Sequence, residues 1–236
     1  MKANYPEIKK IQQVKTEHVN EYLKNLINQG LSAYSISTAK SAIAKLLRTL
    51  STNFIATPPR TRKSIKRSRY EAKRDKNISE ELERKFSKIT SSTGLRKKEI
   101  EAVRGVDLKE INEKYYVKVR QGKGGKKRLA LIMGKDKEET EEIINIFKEA
   151  GELKITPKLP SHYDNHHYRA VYAKRIYNHY ARPIDEIPGS LISEGGQRYI
   201  MKNDRAGKML DRKAMLITSK YLGHNRIDVI AQSYLY

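Results

Sequence analysis

Cysteine is absent from this 236-residue chain, which excludes disulfides and thiolate metal sites. No stretch approaches the roughly 18 consecutive apolar residues that a membrane-spanning helix needs. The opening Met1-Lys2-Ala3-Asn4-Tyr5-Pro6 also lacks the apolar segment of a secretory signal. A cytoplasmic, nucleoid-associated protein with no membrane partner is the expectation. Acidic residues are scarce beside basic ones: 27 Asp and Glu stand against 49 Lys and Arg, a net charge of +22. Such an excess favours a polyanion, because each neutralised phosphate releases counterions. Ribosomal-type or general RNA binding fits this composition as well as DNA binding does. A membrane surface fits less well, since no strongly apolar amphipathic face accompanies the charge.

What is present divides into three stretches. Residues 1–52 read as a helical unit. Val14, Val19, Tyr22, Leu23, Leu26 and Ile27 fall near helical spacing, with Thr16 as a cap and Gly30 as a stop. A second helix carries Ile36, Ala39, Ile43, Leu46, Leu47 and Leu50 on one face, capped by Ser35 or Ser37. Residues 53–76 break the pattern: Pro58-Pro59 leads into Arg60, Arg62, Lys63, Lys66, Arg67, Arg69, Lys73 and Arg74. This basic linker is either a strap across DNA phosphates or a solvated spacer.

From residue 77 to 236 one mixed domain is expected. Ser79 caps a helix through Ile89, and another helix spans Leu95 to Arg104. Tyr116, Val117 and Val119 lead through Gly122-Lys123-Gly124-Gly125 to Leu129–Ile132, which predicts a β-hairpin. A charged helix runs from Asp136 to Gly151, and further helices cover His167–Tyr180, Lys213–Tyr221 and Asp228–Tyr234. Pro183–Lys208 resists assignment. The expected class is mostly α with a small β-sheet (α+β).

Several residues carry chemistry. Phosphodiester cleavage without a metal needs cations on the non-bridging oxygens, where negative charge builds up. Arginine suits this, since its planar fork donates bidentately and keeps its charge. Arg96 sits at a predicted helix start, and Arg169 lies one helical turn after His166. Lys123, between glycines at the hairpin tip, is placed either to protonate a leaving alkoxide or to hold a phosphate. Lys126 and Lys127 are alternatives nearby. His162, His167 and His179 invite a zinc reading, but no carboxylate or cysteine completes a recognisable ligand spacing. Neither a metal nor a cofactor is expected. Tyr234, ten residues after His224, is the candidate nucleophile, with Tyr236 as its competitor. A phenol is mostly protonated at neutral pH, so nearby positive charge must assist its ionisation.

Taken in order, these fragments resemble the tyrosine recombinase/integrase family, in particular integrases of phages and conjugative transposons. Thr93-Gly94-Leu95-Arg96-Lys97-Lys98-Glu99-Ile100 looks like its first arginine box, and Gly122-Lys123-Gly124-Gly125-Lys126-Lys127-Arg128 like its lysine hairpin. His166-His167-Tyr168-Arg169 is similar to the second arginine box, and Leu222-Gly223-His224 through Tyr234 to the last. The resemblance implies a helical N-terminal DNA-clamp domain joined to a tyrosine-recombinase catalytic domain. Tyr234 would attack the scissile phosphate and form a 3′-phosphotyrosyl link. Arg96, Arg169 and His224 would stabilise the phosphate oxygens, Lys123 would act as general acid, and His166 would assist proton transfer at the tyrosine. The implied partner is double-stranded DNA, with a homotetramer assembled on two DNA sites. The implied role is a site-specific recombinase that moves a mobile element. A catalytically idle DNA-binding relative and a type IB topoisomerase-like enzyme are the alternatives. The family's clamp domain usually has about four helices against two legible here, and Pro183–Lys208 reads as an insertion. The short segment after Tyr234 implies weaker assembly between protomers.

Overall fold

The computed structural model describes residues 5–6, 8–61, 78–160, 163–188, 196–201 and 205–235. The chain divides into two units, Met1–Ser68 and Arg69–Tyr236. Most of the linker expected at 53–76 lies outside the described residues.

In the first unit, α1 (Thr16–Asn28) and α2 (Ala33–Leu46) bury Val19, Leu23, Leu26, Ile36 and Ala44 against Phe54. The cap of α2 is Ser32, not Ser35 or Ser37; its hydroxyl accepts from the Ser35 N–H at 3.1 Å. Leu46 and Leu50, expected on the buried face, are 65% and 71% exposed. The reason is local: α2 ends at Leu46, and Arg48 at φ +51° turns the chain away. The folded unit also runs past residue 52. Asn20 accepts from the Ile55 N–H at 2.9 Å, and Lys40 donates to the Ile55 carbonyl at 2.7 Å.

The second unit is α+β. Its elements are α3 (Glu80–Thr93), α4 (Lys97–Ile100), β1 (Leu108–Ile111), β2 (Lys114–Val119), β3 (Arg128–Leu131) and α5 (Lys137–Ala150). They continue with α6 (Asn165–Tyr180), β4 (Arg198–Ile200), β5 (Met209–Asp211), α7 (Arg212–Leu222) and α8 (Ile227–Ser233). β1, β2 and β3 form an antiparallel sheet, and β4, inside the stretch that sequence left unassigned, pairs with β5 just after it. Ser79 caps α3 as expected, but the helix continues four residues beyond Ile89. Its last turn is polar yet buried because its hydroxyls find partners. Thr90 and Thr93 donate back to the Phe86 and Ile89 carbonyls, and Ser92 donates to Glu139. The helix expected over Leu95–Arg104 is the single turn α4.

One core gathers Phe86, Ile89, Ile100, Val117, Val119, Ile143 and Phe147, between α3, α5 and the sheet. The other gathers Tyr172, Ile176, Met215, Leu222, Ile230 and Tyr234, between α6, α7 and α8. Each fully buried side chain of this size contributes about 1.5–3 kcal/mol. α6 packs against both α3 and α7, which brings the ends of these helices together. Among the described residues, no helix is long and apolar enough to cross a membrane.

Candidate active site

The site grows from the ends of helices. α6 starts at Asn165, two residues earlier than expected, and Asp164 caps it by accepting from the His167 N–H at 3.2 Å. One turn further on, Arg169 is 0% exposed. Its Nη1 donates to the carbonyl of Gly94 just past the end of α3, and its Nη2 to that of Leu222 at the end of α7. Carbonyls at helix C-termini lack intrahelical partners, so a single buried guanidinium satisfies two helices at once. Its Nε donates to the Tyr234 hydroxyl at 3.1 Å. Gly94 is required twice over: it holds φ +61°, and a Cβ there would stand 2.2 Å from the Tyr172 ring.

α7 stops at Gly223, φ +68°. The next residue, His224, is fixed at its backbone: its N–H donates to the Ser219 carbonyl and its carbonyl accepts from the Ser219 hydroxyl, both at 2.8 Å. Its Nε2 lies 3.2 Å from the Tyr234 hydroxyl and 3.4 Å from Arg169 Nη2. Guanidinium N–H groups only donate, so we assign Nε2 as the acceptor and place the ring proton on Nδ1. Tyr234, buried in the second core, then accepts from Arg169 and donates to His224. Burial, followed by the positive charges of Arg169, Arg96, Arg128 and Lys123, lowers the His224 pKa from 6.5 to about 4. The imidazole is therefore neutral at neutral pH.

This shift has a consequence for stability. Between pH 6.5 and about 4, the unfolded state holds a proton at His224 that the folded state does not. Stability attributable to this residue is thus present above pH 6.5 and lost as pH falls through that window. Melting temperatures measured from pH 7 to 4 should fall more steeply for the wild type than for His224→Gln. Parallel curves would contradict the assignment.

Arg96 occupies the N-cap position of α4. Its backbone N–H donates to Glu99 Oε2 and its Nη1 to Glu99 Oε1, both at 2.8 Å, while Nη2 lies 3.4 Å from the Gly223 carbonyl. Beside it opens a cleft of about 250 Å³ lined by Arg96, Lys123, Lys126, Lys127, Arg128, Lys220, His224 and Asn225, with Gly122 and Gly223. Six cations and no carboxylate face this space. Lys126 and Lys127 reach the same cleft as Lys123, so all three remain placed for a ligand's leaving oxygen. Lys220 was missed in the sequence; its signal is its position one helical turn before His224.

The structure thus brings together Arg96, Lys123 and His224 around the cleft, with Arg169 and Tyr234 bonded to His224 behind it. His166 is exposed in the first turn of α6 and is not part of the cleft lining. Tyr236 and His162 lie outside the described residues. Among the described residues, no three His, Asp or Glu side chains are grouped so as to hold a metal ion.

No family model, curated protein or solved structure matches the chain. A concave surface of fixed cations, backed by a neutral imidazole and a phenol, is suited to binding a phosphodiester and attacking it with oxygen.

Proposed function

We propose that the chain is a DNA strand transferase of the tyrosine recombinase type, cutting and rejoining duplex DNA through a phosphotyrosine. One observation carries this reading: Tyr234 Oη lies within hydrogen-bonding distance of both Arg169 and His224, directly behind His224, which lines a cleft of otherwise cationic and neutral groups. In the reaction, the phenol proton passes to a base and the phenolate oxygen bonds to phosphorus. The bond from phosphorus to the 5′-oxygen breaks, and a lysine of the hairpin, Lys123 in this reading, protonates the departing alkoxide. The resemblance gives the phenol proton to His166; the 3.2 Å contact favours His224 while DNA is absent. Arg96 and Arg169 meet the charge that develops on the non-bridging oxygens. Arg169 already donates to Gly94, Leu222 and Tyr234, so in this reading the Tyr234 hydroxyl gives up the Nε–H to the incoming phosphate. The DNA-free arrangement is a resting state. The +22 charge supplies the sequence-independent attraction, the N-terminal helices complete a clamp on the duplex, and four protomers assemble on two sites.

The test is covalent trapping. The protein is incubated in EDTA with nicked duplexes carrying the sequences that flank its own gene, then run on a denaturing gel. A DNA-linked band supports the proposal. Tight binding with no band under any flank would instead favour an idle DNA-binding protein, the reading favoured by Arg169's closed contacts. Exchange between two marked duplexes separates a recombinase from a topoisomerase-like enzyme, which relaxes a single duplex.

A further inference from the structure

We propose that Arg128 is a positioning residue of this site, holding the Glu99 carboxylate that in turn aims Arg96 into the cleft. The inference rests on the strand-transferase reading above and extends it to a residue outside the ordered set. Arg128 opens β3 directly after the lysine-bearing turn, and its side chain is 8% exposed. All three of its nitrogens are committed to protein. Nε donates to the Tyr221 carbonyl at 2.9 Å, and Nη1 and Nη2 donate to the two oxygens of Glu99 at 2.8 and 2.7 Å. Arg128 borders the cleft, yet its fork is spent on Glu99 and not on the open space.

Glu99 stands between two arginines. Its side chain is 3% exposed, and it accepts four hydrogen bonds, two from Arg128 and two from Arg96. Burial favours the neutral acid, but Arg128 and then Arg96 outweigh it and hold the Glu99 carboxyl at about 2. The carboxylate permits two guanidinium groups to sit side by side without repulsion. Arg128 thereby links three segments: the hairpin, the start of α4 and the end of α7. Gly223 makes room for it, since a Cβ there would lie 2.9 Å from Arg128 Cδ. Arg128 and Glu99 together add no net charge, so their contribution is geometric. With its inner edge fixed on Glu99, Arg96 has its orientation set before a ligand arrives, and this preorganisation is where a misplacement of about 1 Å costs roughly a hundredfold in rate.

The experiment compares wild type, Arg128→Lys, Glu99→Gln and Arg96→Ala in single-turnover adduct formation and in equilibrium DNA binding at fixed salt. Each is assayed with a phosphate and with a neutral methylphosphonate at the cleavage position. Lysine keeps the charge but cannot span both carboxylate oxygens. Arg128→Lys should form adduct about a hundredfold more slowly on phosphate, with binding changed by less than about threefold. That defect should shrink on methylphosphonate in parallel with that of Arg96→Ala, because the neutral centre has less need of a placed cation. Glu99→Gln, which preserves shape, provides the same comparison should Arg128→Lys fold poorly. A defect of equal size on both substrates, a loss of binding matching the loss of rate, or wild-type rates would each overturn the inference alone. Absence of any wild-type adduct would overturn the strand-transferase reading and this inference with it.

Discussion

Tyr234→Phe should abolish the covalent protein–DNA adduct while leaving the protein folded. The substitution removes a single oxygen. The ring stays buried in the second core among Ile230, Leu222 and Met215, so no cavity opens beyond the volume of a hydroxyl. Two hydrogen bonds are lost, one accepted from Arg169 and one shared with His224. Hydrogen bonds to charged groups contribute about 1.5–3 kcal/mol each. The Arg169 guanidinium nevertheless keeps its bonds to Gly94 and Leu222, so a net cost near the lower end of that range is expected. A cooperative melt a few degrees below wild type, with unchanged DNA affinity, is the accompanying result. The denaturing gel decides the chemistry: no DNA-linked band for Tyr234→Phe, a band for Tyr236→Phe. The reverse pattern would move the nucleophile to Tyr236 and leave the proposed reaction class standing. A band surviving in both single variants and in the double variant would rule out either tyrosine.

The parts of this fold that could be read in the sequence are those in which local signals agree. Asp136, the apolar stripe of Ile143, Ile144 and Phe147, and Gly151 mark α5 at both ends, and the helix found is Lys137–Ala150. The glycine-rich tip between Tyr116–Val119 and Leu129–Ile132 predicts a hairpin, and β2 and β3 pair across it. Where tertiary contacts decide, the local sequence carries no such signal. β1 has a mostly exposed, charged face, so its sequence carries no alternation, and only pairing with β2 makes it a strand. The buried end of α3 looks polar until Tyr163 and Glu139 are seen to bond Thr90 and Ser92. Likewise, Leu50 matches the helical period of its neighbours but lies beyond the residue at which the backbone turns.

The candidate site shows the same division. Order and spacing along the chain single out Arg96, Lys123, His166, Arg169, His224 and Tyr234, and of these the structure leaves His166 outside the cleft lining. Nothing in that order shows that Arg169 is sealed inside, or that Glu99 is shared by two arginines. Both are consequences of how three helix ends meet. That Arg128 and Lys220 border one cleft follows from the packing of β3 beside α7.

Arg169→Lys should cost both the chemistry and the fold, which separates it from Arg96→Lys. The guanidinium reaches Gly94 O, Leu222 O and Tyr234 Oη in three directions from a fully buried position. An ammonium retains the charge on a single atom and lacks the fork that spans these acceptors. At least one helix-terminal carbonyl is then left buried without a donor, at about 1–3 kcal/mol. The ion itself loses part of the solvation that protein oxygens supply, and an incompletely compensated buried charge costs several kcal/mol. A stability of about 5–15 kcal/mol is ordinary for a folded domain, so urea unfolding should show a midpoint lowered by a third or more. Adduct formation should fall at least a hundredfold, the order expected when a preorganised donor to a developing oxyanion is removed. Arg96→Lys provides the contrast. Arg96 keeps 21% of its side chain exposed beside the cleft, so its replacement should slow the chemistry comparably while shifting the urea midpoint little. Equal stability losses for the two variants would contradict the structural role assigned to Arg169. Full activity in Arg169→Lys would remove it from the reaction altogether.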